Sequence, residues 1–315
     1  MPTLQQHHST NLIKLLVLGD SKAGKTGGLA SLVCAGYKLA IVDMDNMLSP
    51  LRSFVERECP ELLNNVHFAT FRDTYVMGPD GPVIKGVPKA YTSARKMMEH
   101  WKTDDEDLGR PSEWGPDWIL VWDSLSRYCD SAYDWAEPLT PRGRSGQLDP
   151  RVTYGNSQDA VEKDLANLGS DSLATNVIVI GHLVYMTIQD PSGAERVKAF
   201  PQGIGQKLSP KIPQYFPNVV HFYNNNGKRT LRTTSTPLLD LANPKPFEME
   251  KEYPIETGLA DFFNVLRKPP NASKNPSTAQ ASIADVKTPL ETQTQNPPQA
   301  KEQHRNSHIK TYRRA

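Results

Sequence analysis

Along roughly the first 235 residues, short apolar runs alternate with stretches of helical periodicity. Residues 14–18 form an apolar run that leads straight into a glycine-bearing segment, and residues 25–36 then carry a helical pattern. A second apolar run at 39–42 ends in Asp43-Met44-Asp45; a helical stretch at 49–57 stops before Pro60. Residues 66–71 read as a third strand. Residues 75–85 read as a hairpin turning at Pro79-Asp80-Gly81-Pro82. A helix over 88–102 would turn Met97, Met98 and Trp101 inward. After a polar linker at 103–116 comes the most continuous strand, 117–123, followed by a helix to about Trp135. A turn-rich segment (137–154), a helix (156–168) and a β-branched strand (176–180) that closes on Gly181-His182 come next. Beyond an irregular segment, runs at 219–223 and 229–234 flank Asn224 to Lys228 and predict a hairpin. The alternation predicts an α/β fold: a mostly parallel sheet with helices on both faces, finished by antiparallel strands.

Composition changes the picture at the far end. From Pro269 onward Asn, Ser, Thr, Gln, Pro and Ala dominate and apolar periodicity is lost, so this stretch cannot bury enough surface to offset its ordering entropy. The expected organisation is a flexible segment at 1–11, one domain at 12–268, and a disordered polar tail at 269–315. Formal charge is +1 overall, with a balance of +4 beyond Lys268 that leaves −3 for residues 1–268. That argues against a generally basic nucleic-acid binder and confines any such contact to local patches. Cys34, Cys59 and Cys129 are scattered and without metal-ligand spacing, which predicts free thiols in a reducing compartment rather than a disulfide framework or zinc site. The first residues show no signal-peptide pattern, and no apolar run is long enough to cross a bilayer. The chain is therefore expected to be cytoplasmic, without membrane contact.

Gly19-Asp20-Ser21-Lys22-Ala23-Gly24-Lys25-Thr26 fits G-x-x-x-x-G-K-[ST] in full, between an apolar strand and a helix. Its glycines permit backbone angles that turn successive N–H groups around phosphate oxygens, and a following helix adds its positive end. Lys25 supplies a point charge for β- and γ-phosphates, and the Thr26 hydroxyl can ligate Mg²⁺. Asp123, at the C-terminal end of the strongest strand, would hold the magnesium side of an ATP site. Hydrolysis needs a group that orients water. Asp45, after the second strand, is the candidate, with Asp43 alternatively a cap. His182, at the end of the fifth main strand, is placed to respond to the γ-phosphate. Catalytic roles are thus expected for Lys25, Asp45 and His182, and metal roles for Thr26 and Asp123.

The succession strand–GDSKAGKT–helix, IVDMDN, ILVWDSLS and VIVIGH, closing with a hairpin, resembles the RecA-like P-loop ATPase core over residues 12–240. More narrowly it is similar to compact bacteriophage ATP-binding proteins, including the Sak-type single-strand annealing and AAA ATPases. The resemblance implies that Asp45 matches the acidic residue that activates water, Asp123 and Ser124 the magnesium-side pair, and His182 a glutamine that links γ-phosphate to a DNA loop. It further implies single-stranded DNA binding by two loops. One, near 137–156, carries Arg142, Arg144, Arg151 and Tyr154; the other, near 185–206, carries Arg196, Lys198 and Phe200. Basic groups neutralise phosphates and an aromatic stacks a base. Homo-oligomers (a ring or short filament) are implied as well, with Lys207, Lys211 or Arg229 as candidates to reach a neighbour's nucleotide, and the host cytoplasm as location if phage-encoded. Two other classes compete with a DNA-acting ATPase: a P-loop kinase of a small molecule, with Arg142 and Arg144 in a lid, and a nucleotide-gated partner-binding protein without DNA activity.

Overall fold

In a computed structural model, residues 12–79, 81–143, 146, 148–189 and 192–268 are described. The expected flexible segment at 1–11, the polar tail, Arg144 and Asp80 lie outside them. In chain order the elements are β1 (Lys14–Leu18), α1 (Lys25–Gly28), α2 (Ala30–Cys34), β2 (Lys38–Asp43), α3 (Ser49–Glu58), β3 (Val66–Thr70), the paired β4 (Tyr75–Gly78) and β5 (Gly81–Ile84), and α4 (Ala90–Glu99). Then follow the short β6 (Trp101–Lys102) and β7 (Asp107–Gly109), β8 (Gly115–Asp123), α5 (Leu125–Ala136), α6 (Pro150–Gly169) and β9 (Thr175–Gly181). The last are β10 (Leu183–Gln189), β11 (Glu195–Pro201), α7 (Gly205–Leu208), β12 (Asn218–Asn225), β13 (Lys228–Arg232), β14 (Glu252–Pro254) and α8 (Gly258–Arg267).

Eight strands form one sheet in the order β14-β13-β12-β1-β9-β8-β2-β3. The six from β12 to β3 run parallel, and β13 and β14 add antiparallel. The strands of the parallel centre are buried on both faces, as crossover helices require. Leu16, Leu18, Ala40, Val42, Leu120, Trp122, Val177 and Val179 point into one core, under Tyr91 of α4, Tyr128 of α5 and Leu165 of α6. Their sequence neighbours Leu15, Val17, Leu39, Ile41, Ile119, Val121, Ile178 and Ile180 point into the other, under Leu32 of α2, Val55 of α3 and Phe262 of α8. This two-sided sheet flanked by helices is the α/β arrangement expected of a RecA-like core.

Several local expectations need correction. The helix read over 25–36 is two short pieces, α1 and α2, joined at Leu29. Gly27 and Gly28 form helix poorly, and their lack of Cβ lets Phe54 and Phe222 pack against them. α6 begins at Pro150 behind its Asp149 cap, so Arg151 and Tyr154 sit on its first turns rather than in a loop. The second expected loop is mostly an antiparallel ribbon, with β10 and β11 paired from Leu183↔Pro201 to Gln189↔Glu195. β14 and α8 follow the last predicted strand; α8 is held by Leu259, Phe262 and Phe263, all fully buried. Cys34 and Cys59 form a disulfide, contrary to the expectation of free thiols, and Cys129 is free and buried. The two partners end α2 and α3, which lie against each other beneath the sheet. Their spacing of 25 residues matches no short motif that would mark them as a pair. Among the described residues, no helix is long and apolar enough to cross a membrane.

Candidate functional site

The C-terminal ends of β1, β2, β8 and β9 meet at one edge of the sheet, where the chain leaves each strand and side chains converge. The loop from Gly19 to Thr26 leaves β1 here. A Cβ on Gly19 would stand 2.3 Å from the carbonyl oxygen of Phe222, so only glycine lets the loop pass β12. Gly24 has φ 96° and caps α1, a left-handed conformation that costs other residues dearly. Lys22 is also left-handed, at φ 65°. Such alternation turns backbone N–H groups toward a common concavity.

Lys25 is buried at 6% exposure. Its Nζ donates to the carbonyl oxygens of Gly19 and Asp20, each at 2.8 Å, and to Nδ1 of His182 at 3.3 Å. Burial pushes the amine down to about 8, against the opposing pull of Asp123, Asp20 and Asp45. The Thr26 hydroxyl donates to Asp123 Oδ2 at 2.6 Å. Burial pushes the Asp123 carboxyl up to about 6; the Thr26 bond and Lys25 work against this rise, and Asp45 and Asp43 add to it. The Asp123–Ser124 peptide bond is cis, and Ser124 then caps α5 by accepting from the N–H of Arg127.

Asp43 and Asp45 separate cleanly. The Asp43 carboxylate accepts from the backbone N–H groups of Asp45 and Asn46 at 3.1 and 2.7 Å and from the Thr70 hydroxyl at 3.0 Å, so it builds the turn after β2. Asp45 is freed by that turn to face the cavity, with Arg127 Nε 3.6 Å from Oδ1. His182 receives a hydrogen bond at its carbonyl from Gln202 N (2.8 Å) and donates its N–H to Ser126 Oγ (3.2 Å). Burial first, then Lys25, pushes the imidazole below its ordinary value, which favours the uncharged ring that can accept the lysine's bond.

These groups line a cavity of about 710 Å³, within the range of small-molecule sites. Lys25, Thr26, Asp45, Asp123 and His182 are thus brought together. So are three groups that sequence reasoning did not single out for this site: Arg127, Ser126 and Gln202. Arg127 lies in the first turn of α5, and nothing in its surroundings in sequence marks it. Arg229, considered for a neighbour's nucleotide, lines this cavity in its own chain, its stem against Gly24. Lys211 is engaged by Glu162.

The donor set fits a hard, oxygen-seeking ion held by one hydroxyl and one carboxylate. Mg²⁺ commonly takes its other oxygens from water and phosphates. No group of three or more His, Cys, Asp or Glu able to cage a metal occurs among the described residues. The Gly19–Gly24 cradle, which side chains would fill, fits a phosphate chain.

No protein-family model matches the chain, and no curated protein does. Among solved structures, the RadB recombinase is similar, with a TM-score of 0.41 and 16% identity, covering 78% of this chain and 89% of that one.

Proposed function

We propose that this protein binds Mg-ATP and hydrolyses it, as a RecA-like ATPase acting on single-stranded DNA. The observation that carries the nucleotide reading is the convergence of Lys25, Thr26 and Asp123 at one sheet edge around a glycine-built cradle. Lys25 would attract the β- and γ-phosphates, and Thr26 with Asp123 would hold Mg²⁺, which when bound neutralises charge on the phosphate oxygens. Asp45 can accept a proton from an attacking water at a carboxylate oxygen, and the neutral His182 touching Lys25 is positioned to register the phosphate end. ATP and Mg²⁺ are accordingly the proposed cofactors.

The DNA part of the proposal rests on the β10–β11 ribbon and the start of α6. Arg196, Tyr185 and Val197 are exposed on the ribbon, and Arg151 and Tyr154 are exposed on α6. Lys198 is tied to Asp240, which reduces its share. The phage annealing, recombination or replication setting, the likeness to the Sak-type group, and assembly into a ring or short filament belong to the same proposal.

The test is ATP hydrolysis with and without single-stranded DNA, for wild type and Lys25→Ala, at two salt concentrations. DNA should stimulate hydrolysis, salt should weaken that stimulation, and Lys25→Ala should lose most of the turnover. Hydrolysis indifferent to DNA would leave the nucleotide site standing and remove the DNA assignment.

A further inference from the structure

We infer that Tyr185 fastens the β10–β11 ribbon to the phosphate loop, so that the ribbon tightens when the nucleotide cavity is filled; this rests on the nucleotide-binding reading above. The Tyr185 hydroxyl donates to the Asp20 carboxylate, 3.0 Å from Oδ1 and 2.9 Å from Oδ2. Asp20 is the second residue of the loop, and its backbone carbonyl accepts from Lys25. One loop residue is therefore gripped twice, by the phosphate-binding lysine on its main chain and by the ribbon on its side chain.

Among the described residues, the other anchors of the ribbon lie at its root, where Leu183 packs against the core, and along β11. The ribbon pairs only with itself and is not part of the eight-stranded sheet, and an isolated two-stranded ribbon is marginal in water. Its root is fixed by Gln202 N donating to the His182 carbonyl, and β11 is attached by Ala199 N donating to the Leu238 carbonyl and by the Lys198–Asp240 ion pair. β10 projects from that root, and Tyr185, paired with Ala199 in register, is its contact with the loop.

Electrostatics gives the direction. Phosphates entering the cradle bring negative charge beside the Asp20 carboxylate, which makes its oxygens stronger acceptors. A phenol O–H directed at that carboxylate then stabilises it more than before, because a hydrogen bond to a charged group strengthens as the surrounding field disfavours the charge. Occupancy and ribbon docking therefore reinforce each other, and by reciprocity each raises the other by the same factor. Tyr185 acts as a positioning residue; it need not touch the nucleotide.

The experiment is backbone hydrogen exchange of residues 183–189 and 195–201, with and without saturating MgADP or a non-hydrolysable Mg-ATP analogue. Wild type and Tyr185→Phe are compared, and nucleotide affinity is measured on the same samples. Wild type should show exchange slowed about 5–10-fold by nucleotide. Tyr185→Phe should lose that slowing and bind nucleotide more weakly by a similar factor. A purely structural hydroxyl would raise exchange equally with and without nucleotide and leave the ratio unchanged, which overturns the inference. So does a wild type that binds nucleotide with no change in the ribbon. A wild type that binds no nucleotide removes both this inference and the reading beneath it.

Discussion

Two buried lysines stand at opposite ends of β1. Lys14 and Lys25 are 4% and 6% exposed, each gives its amine to two backbone carbonyls, and burial pushes each down to about 8. Burial and a displaced pKa therefore do not distinguish a structural lysine from a chemical one. The surroundings do. Lys14 reaches the carbonyls of Leu173 and Thr175, closing the bottom of the sheet where Asn176 accepts from Ile13 N and Asn218 donates to the Lys14 carbonyl. Lys25 shares its end with Asp20, Asp45, Asp123 and His182, and opens onto the cavity. One end of the strand is stitched shut; the other is charged on both signs and accessible.

That contrast can be broken most forcefully at Lys25. Lys25→Ala should lower ATP turnover by roughly 10²–10³-fold, the loss typical of removing one preorganised charge stabiliser, while its melting temperature stays near wild type. If Lys25→Ala unfolds the protein instead, the two lysines are alike after all. Reducing the Cys34–Cys59 disulfide tests the closed end, because both cysteines terminate helices that lead into strand starts. Removing a cross-link over 25 residues should cost about 3 kcal/mol in denaturant unfolding, with nucleotide affinity unchanged. Lys14→Ala should remove two buried hydrogen bonds, to the carbonyls of Leu173 and Thr175, cost about 1–3 kcal/mol and spare nucleotide binding. The mildest perturbation is pH. Asp123 binds a cation only when ionised, so Mg²⁺-dependent affinity should fall as pH drops through about 6. Lys25 attracts phosphate only when protonated, so affinity should also fall as pH rises through about 8. Titrating nucleotide binding should give a plateau between those limits, with the Mg²⁺-dependent acidic limb absent in Asp123→Asn.

The open end was largely legible in the sequence, because its chemistry is written in contiguous residues. Gly19 to Thr26 carries its spacing within eight positions, and Asp123 and His182 each close an unbroken apolar run. What escaped was assembled from distance. Arg127 reaches Asp45 from another element, Tyr185 meets Asp20 across 165 residues, and neither side chain has a local pattern that announces its partner. The ribbon was missed for a different reason. Val184, Met186 and Ile188 are half-buried and alternate with exposed Tyr185, Thr187 and Gln189, but the strand follows β9 after a single residue and pairs outside the main sheet, so the alternation does not place it in the fold. In α8, Leu259, Phe262 and Phe263 follow helical spacing, but the run is only ten residues long and borders the polar tail, so its periodicity is a weak signal. The separate roles of Asp43 and Asp45 are set by the turn after β2, in which Asp43 accepts from the N–H groups of Asp45 and Asn46, and no local pattern in the sequence specifies that turn.

The sheet order also sets a timetable for synthesis. β1 emerges from the ribosome early, but its two neighbours are β9 and β12, residues 175–181 and 218–225. Its register cannot be locked until both have been made, so contacts of long sequence separation must close before the phosphate loop has a rigid base. Gly19 must wait for Phe222 and Gly24 for Ile255, its close neighbours across the loop. The segment translated first among the candidate catalytic parts is therefore completed last, once β12 and the residues around Ile255 have been made.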